Sequence, residues 1–209
     1  MKKITISFVC LLILSAFALN ADAQKGQLKL NLDYSSSLPL GNFKKDLISN
    51  ASPRGVNGSF MYGINNKWSA GLSLGYQDYY QKYPRDVYTT GDHEVTSAVL
   101  SNSIQTMPVL AKAMFTPLAD SKAFIQPYVS LGTGISIVDF SQYLGEFSST
   151  ATNASFTVQG GAGIMVPFKK NSGAGFNLGA GYNYTAYNKF GYKNLNSLAF
   201  NAGIHFPLK

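Results

Sequence analysis

The chain carries few side chains that could do acid–base or nucleophilic chemistry. It has two histidines, and His93 stands among carboxylates in the stretch Gly91-Asp92-His93-Glu94. A histidine beside a carboxylate is a pattern of general-base catalysis, which would suit hydrolysis of a lipid or a protein. Catalysis also needs a nucleophile or a second carboxylate held by rigid elements, and neighbours in sequence do not supply that geometry. We therefore predict no catalytic residue and interpret this stretch as a solvated loop.

No motif indicates a cofactor or a metal. Cys10 is the only cysteine, and it lies in an apolar N-terminal stretch. The glycine-rich stretches 132–134 and 160–163 fall within predicted strands, whereas a nucleotide fingerprint needs a helix directly after its glycines. We predict neither a cofactor nor a metal site.

The composition excludes two broad classes of protein. Of 209 residues, 13% are charged and 45% are hydrophobic, and 20 are glycine. A typical domain has about 25% charged residues, and disordered chains combine low hydrophobicity with high charge. Glycine costs about 1 kcal/mol per helical position relative to alanine, which disfavours a helical bundle. A glycine-rich all-β domain remains.

Residues 1–23 have the organisation of a secretory signal peptide. Lys2 and Lys3 precede an apolar run over residues 4–19, and Ala21-Asp22-Ala23 provides the small residues of a cleavage site. A membrane anchor is the alternative, but this run is shorter than the ~20 residues of a spanning helix. We expect export and cleavage after Ala23, which leaves residues 24–209 as one domain.

Apolar and polar residues alternate in eight segments of this domain. In the first segment, Leu28 and Leu30 share one face, and Lys29 and Asn31 share the other. Each segment has about the length that a tilted strand needs to cross a bilayer. The eight segments are residues 28–35, 56–64, 68–77, 107–115, 128–137, 156–166, 176–184 and 197–208.

The connections alternate between short and long. The predicted short turns are residues 65–67, 117–122 and 169–173, and the predicted long loops are residues 36–55, 78–102, 138–153 and 186–196. Transmembrane barrels have short periplasmic turns and longer extracellular loops. The pattern therefore predicts an eight-stranded antiparallel up-and-down transmembrane β-barrel with both termini on the short-turn side.

The polar face carries small uncharged residues and few charges, and the apolar face carries no charge. A charge on a lipid-facing position costs about 2–4 kcal/mol at the bilayer midplane, so we expect the apolar face to contact lipid. The alternative is a soluble lipocalin-like carrier with apolar residues inside. Aromatic residues sorted to the ends of strands agree with lipid exposure, because such rings collect at membrane interfaces. Towards the short turns these are Trp68, Phe115, Phe168, Phe176 and Phe206.

The inward-facing charges are expected to meet in the lumen. An eight-stranded barrel is just wide enough for side chains to fill it, and buried charges need partners. We predict a packed polar cluster, with a narrow proton or ion path as the alternative. Its members are Lys29, Asp33, Lys112, Gln126, Tyr128 and Gln159.

The predicted loop 78–102 is the expected surface for a protein partner. It contains Tyr79, Tyr80, Tyr83 and Tyr88, and tyrosine is enriched in interfaces. We expect contacts with outer-membrane lipid and with an extracellular or periplasmic protein. Nucleic acid is not expected for an exported barrel.

In these features the chain resembles the small outer-membrane β-barrel proteins of Bacteroidetes, which are similar in build to OmpA/OmpX-type and PorT-like barrels. The resemblance covers the mature chain and rests on short stretches: Leu40-Gly41-Asn42-Phe43, residues 107–112, Gln126-Pro127-Tyr128-Val129 and residues 201–208. It implies insertion by the outer-membrane assembly machinery. The expected function is non-enzymatic, either structural or in adhesion through the loops. The alternatives are a barrel enzyme acting on lipid or protein and the soluble carrier named above.

Overall fold

The computed structural model describes residues 26–90, 94–119, 124–145, 147–169, 173–189 and 191–208. The predicted signal peptide and His93 lie outside the described residues. Within these ranges, no helix is long and apolar enough to cross a membrane.

Eight antiparallel strands form a closed barrel in which each strand pairs with its neighbour in sequence. The last strand closes on the first, from the Leu28–Leu208 pair to the Leu40–Asn196 pair. This arrangement confirms the predicted fold class. The strands are β1 (Leu28–Leu40), β2 (Ser52–Gly63), β3 (Trp68–Thr90), β4 (Glu94–Phe115), β5 (Gln126–Leu144), β6 (Phe147–Pro167), β7 (Gly175–Lys189) and β8 (Tyr192–Leu208).

Apolar side chains face outward through the middle of the barrel. Leu72 on β3 and Leu131 on β5 are 58% and 62% exposed, whereas Ser73 and Ser136 on the same strands are buried. A water-soluble carrier would have the opposite arrangement, with apolar side chains around an internal ligand. The lipocalin-like alternative is therefore wrong, because the exposed apolar surface surrounds the barrel.

Aromatic residues form part of a belt at the short-turn end. The rings of Trp68 and Phe115, on neighbouring strands, have centroids 4.8 Å apart. Phe168 and Phe176 pack edge to face, also with a centroid distance of 4.8 Å. Phe206 was expected in the same belt, but it is buried at 7% exposure beside Leu30 of β1.

The strands extend far beyond the predicted segments at the other end of the barrel. β3 and β4 pair as far as Thr90 and Glu94, and β5 and β6 as far as Leu144 and Phe147. The predicted loops 78–102, 138–153 and 186–196 are therefore largely β-hairpins. That prediction was wrong because these segments continue the barrel strands rather than leaving them. We call this the hairpin end.

The first long connection is a loop that turns into the barrel. Gly41 has a φ of +57°, a conformation that glycine adopts without strain, and it directs the chain out of β1. A π-helical turn follows over Phe43–Leu47, closed by a hydrogen bond of 3.0 Å from the Ile48 N–H to the Phe43 carbonyl. Phe43, Leu47 and Ile48 are all buried. We call residues 41–51 the first loop.

Candidate functional site

The predicted ionic residues meet in part within the lumen. Asp33 faces inward from β1, and its carboxylate accepts a hydrogen bond from the Asn177 side-chain amide on β7. Lys112 faces the lumen from β4, and its positive charge acts on this carboxylate. Tyr128 lies close enough for the Asp33 charge to act on its hydroxyl. Asp33, Lys112 and Tyr128 thus form one group.

Two glycines make room for the Tyr128 ring. A Cβ atom added to Gly163 would lie 2.7 Å from Cζ of this ring, and one added to Gly179 would lie 2.5 Å from its hydroxyl oxygen. Such distances are far below ordinary contact. The tyrosine crosses the lumen above both glycines and leaves no room for a side chain at Gly179. At Gly163 the Leu178 carbonyl oxygen would lie nearer still to an added Cβ, so the backbone of β7 also requires glycine there.

The other predicted cluster residues lie elsewhere. Lys29 and Gln126 line a cavity of about 20 Å³ at the short-turn end. Gln159 lies in a separate cavity of about 50 Å³ nearer the hairpin end, where its amide donates to Asn183 Oδ1 over 2.8 Å. The structure brings part of the predicted cluster together and divides the rest between two cavities.

Side-chain hydrogen bonds between strands surround the larger cavity. Thr157 bonds to Ser136 at 2.8 Å and to Thr185 at 2.9 Å. Asn183 donates to Ser197 at 3.3 Å. A volume of about 50 Å³ accommodates on the order of four water molecules. This cavity is too small for a nutrient or a lipid.

An apolar cluster closes the lumen at the hairpin end. The first loop inserts its buried side chains between inward-facing residues of five strands, and we call the whole cluster the apolar plug. Its members are Phe43, Leu47, Ile48, Tyr79, Ile104, Val138, Phe140, Tyr187 and Leu195. Sequence reasoning missed this plug, because it assigned most of these residues to loops.

Hydrogen bonds fasten the first loop to the wall of the barrel. The carbonyl of Leu47 accepts one bond of 3.1 Å from the Asn102 amide and one of 2.8 Å from the Tyr83 hydroxyl. Gln81 accepts bonds from the backbone N–H and the hydroxyl of Ser49. The loop is therefore held by β3 and β4 together.

This arrangement divides the four tyrosines predicted to bind a partner. Tyr79 is 3% exposed inside the apolar plug, so it is unavailable to a partner. Tyr83 is engaged with the first loop. Tyr80 is 43% exposed, and Arg54 stands over its ring at 5.7 Å from the centroid. Tyr88, nearer the tip of the hairpin, is partly exposed.

Among the residues that the structure describes, no group of three or more histidine, cysteine, aspartate or glutamate side chains is placed to hold a metal ion. The candidate base His93 lies outside those residues. The absence of metal, cofactor and catalytic residues stays a prediction.

A closed barrel with an apolar outer surface, an aromatic belt and a polar lumen defines a class of protein. Only helices and closed barrels span membranes, because every backbone polar group must be paired away from water. Eight antiparallel strands with short turns at one end and long hairpins at the other are typical of outer-membrane β-barrels.

Comparison with known families assigns the chain more closely. The family described as outer membrane protein beta-barrel domain matches residues 6–206, and the protein belongs to this family. The protein is located in the outer membrane of a Gram-negative cell. The short turns then face the periplasm, and the hairpin end with its apolar plug faces the exterior.

Two solved structures have the same fold. Neisserial surface protein A is 16% identical, with a TM-score of 0.54, and the match covers 87% of this chain and 96% of that protein. OprG from Pseudomonas aeruginosa is 14% identical, with a TM-score of 0.55, and the match covers 90% of this chain and 98% of that protein. Comparison with curated proteins gives no match. At sequence identities of 16% and 14%, these similarities establish the fold and not a shared function.

Proposed function

We propose that this protein is a non-enzymatic outer-membrane barrel that presents its β3–β4 hairpin to an extracellular protein partner. The projection of this hairpin above the rest of the barrel carries the proposal. The pairing of β3 with β2 ends at Gln77, and the pairing of β4 with β5 ends at Leu100. β3 nevertheless continues to Thr90, and β4 begins at Glu94.

The β2-facing edge of the hairpin has no strand partner among the described residues over 79–90. Unpaired N–H and C=O groups on such an edge can pair with an extended segment of another protein. The lower part of the edge is protected by a β-bulge between Lys82 and Arg85, and Pro84 has no N–H to donate. Further out, Asp86 Oδ1 accepts the Val87 N–H over 2.7 Å. These features favour a specific partner over indiscriminate strand pairing.

The outer surface of the hairpin has the chemistry of a binding surface. Val87 is 62% exposed, and Arg85 is exposed near the bulge. At the base, Arg54 on β2 forms a 3.2 Å salt bridge with Asp78 and covers the ring of Tyr80. Arginine and tyrosine are enriched in interfaces, and the contacts of Arg54 hold the base of the hairpin against β2.

The barrel interior supports a role other than transport or catalysis. The apolar plug closes the exterior mouth, and the larger cavity beneath it holds only a few water molecules. Asp33, Lys112 and His205 face the lumen and not the outer leaflet, where a lipid or protein substrate would lie. A structural contribution to the envelope accompanies the binding role.

The Bacteroidetes-type assignment is part of this proposal. It is supported by Leu40-Gly41-Asn42-Phe43, which forms the turn from β1 into the apolar plug, and by Gln126-Pro127-Tyr128-Val129, which opens β5. We also propose insertion by the outer-membrane assembly machinery, lipid contact around the outer surface, and no role in nucleic-acid binding. A periplasmic protein is a less favoured partner, because the projecting hairpin faces the exterior.

Shortening the hairpin tests the binding role. Residues 86–98 are replaced by Asn-Gly, so that the Arg85–Val99 pair is closed by a two-residue turn. Cells that display the full-length and the shortened protein are compared for adhesion and for partners captured by photo-crosslinking from position 85, which both proteins retain. We expect adhesion and capture to fall to the level of cells without the protein.

The matched control shortens the β7–β8 hairpin at its Asn188–Lys193 pair. A heat-modifiable band on a gel reports that each variant is folded. Adhesion and capture that survive loss of the β3–β4 hairpin would overturn the binding role. Lipase or protease activity of the purified protein, lost in His93→Ala, would overturn the non-enzymatic role.

A further inference from the structure

The charges in the membrane-spanning lumen do not balance. Between the periplasmic mouth and the apolar plug, the charged side chains that the structure describes are Lys29, Lys112 and Asp33. The Asp33 carboxylate is engaged by Asn177 and lies in the field of Lys112. Among the described residues, no carboxylate accompanies the positive charge of Lys29.

The described residues around Lys29 provide neither a hydrogen-bond acceptor nor a negative charge for its ammonium group. Its ammonium group makes no hydrogen bond or ion pair with any described residue, and its strand neighbours in register are Met61 and Pro207. His205 faces it from β8 and supplies no negative charge. Lys29 is partly exposed, and an ammonium group partly withdrawn from water is costly unless an opposite charge or hydrogen-bond acceptors accompany it.

A cavity of about 20 Å³ adjoins Lys29 at the periplasmic mouth. The described residues that line it include a second cation, Lys67, and no carboxylate. Ser69, Thr116 and Gln126, whose side chains carry hydroxyl and amide groups, also line it. Asn65 also lines this cavity, and its side-chain oxygen already accepts the N–H groups of Lys67 and Trp68 over 2.9 and 2.8 Å. The amide N–H groups of Asn65 remain available as donors to an anion in the cavity.

We infer that this cavity is a binding site for one small inorganic anion of the size of chloride. The Lys29 ammonium group supplies the opposite charge, and the amide and hydroxyl groups supply neutral donors. The volume admits roughly one or two water-sized particles, which suits a halide better than a larger tetrahedral oxyanion such as sulfate. The site lies at the opposite end of the barrel from the β3–β4 hairpin, so it is independent of the proposed function.

Chloride itself is the probe for this site. The full-length folded protein in detergent is titrated with chloride against gluconate at constant ionic strength, and the line width of the chloride NMR signal is recorded. We expect a saturable broadening that Lys29→Met abolishes and that bromide displaces. Lys44→Met is the matched control, because it removes the same charge from an exposed position on the first loop.

Gel heat-modifiability verifies the fold of each variant. Gln126→Leu serves as a second variant that leaves Lys29 in place, and it is expected to weaken the saturable broadening. The absence of saturable broadening in the unsubstituted protein would overturn the inference, as would equal broadening in a folded Lys29→Met variant. Displacement by sulfate as effective as that by bromide would also overturn it, because the inferred site is selective for an anion of halide size.

Discussion

Phe43 of the first loop packs edge-on against Tyr79 of β3 inside the barrel, with ring centroids 4.9 Å apart and ring planes at 76°. Both rings are almost completely buried. This contact joins the inserted loop to a strand that continues into the projecting hairpin. The closure of the exterior mouth and the base of the proposed binding surface therefore share one packed cluster.

Phe43→Ala is expected to destabilise the barrel by about 3 kcal/mol, because it removes a buried aromatic ring and leaves a cavity. Urea unfolding of the refolded protein, followed by the fluorescence of Trp68, the only tryptophan, measures this change. Phe147→Ala is the matched control, since Phe147 is 63% exposed on β6. Equal effects of the two substitutions would show that the first loop does not stabilise the barrel.

Tyr83→Phe is expected to loosen the first loop without unfolding the barrel. It removes the hydroxyl that donates to the Leu47 carbonyl, a loss of about 1 kcal/mol, which raises the open population about fivefold. Trypsin cleavage after Lys44 or Lys45 in the intact protein should accelerate in proportion. Tyr80→Phe is the control, and cleavage at the same rate in both variants would contradict the proposed role of this hydrogen bond.

The strand pattern in the membrane could be predicted from sequence because lipid imposes one simple rule. At Leu72 and Leu74 the apolar residue points outward, and the small or polar residues between them point into the lumen. The outward-facing positions carry no charge in any of the eight segments, so the number of strands, their direction and their outer face followed from the sequence. The inward positions are less uniform, because Met61, Met114 and Met165 form an apolar cluster in the lumen.

Above the membrane, the rule inverts. On β5, the apolar residues Ile135 and Ile137 occupy odd-numbered positions and face outward. The apolar residues Val138 and Phe140 occupy even-numbered positions, which face inward, and they are buried in the apolar plug. Water on the outside now favours apolar residues inside, so the alternation changes phase in the middle of the strand. If apolar residues are expected on the outer face along the whole strand, the strand is predicted to end at this point and a loop to begin. This explains the wrong loop assignments.

Only the charged part of the candidate site could be predicted from the sequence. Asp33 and Lys112 are rare charges on inward-facing positions, and the low dielectric of the lumen requires that they find partners. Gln159 lies in the middle of β6 and Lys29 near the start of β1, which runs in the opposite direction, so strand order places them at different heights in the barrel, and their polar character alone did not reveal this. The inserted first loop depends on contacts between residues distant in sequence, such as Phe43 with Tyr79, which alternation does not encode.

A charge on the outer surface should be tolerated above the membrane and not within it. Leu72→Arg places a guanidinium midway along the lipid-facing part of β3 and is expected to cost about 2–4 kcal/mol. Val87→Arg introduces the same charge on the projecting part of the same strand, and we expect a change within about 0.5 kcal/mol. Unfolding in lipid vesicles compares the two, and a similar cost at both positions would place the membrane boundary elsewhere.

The Tyr128 ring and the glycines beneath it provide the most specific test of the lumen. Gly179→Ala would place a Cβ atom 2.5 Å from the Tyr128 hydroxyl oxygen, and we expect overpacking to cost about 1–3 kcal/mol. In the Tyr128→Phe background that oxygen is gone, and the nearest remaining atom is the Ala162 carbonyl oxygen at 3.2 Å. The cost of Gly179→Ala should therefore be smaller there, and a double-mutant cycle of unfolding free energies measures the difference.

Gly160→Ala on β6 is the control, because no atom lies within 4 Å of its added Cβ, and its cost should not depend on Tyr128. If Gly179→Ala costs the same in both backgrounds, the tyrosine does not cross the lumen at this position, and the glycines of β6 and β7 need another explanation.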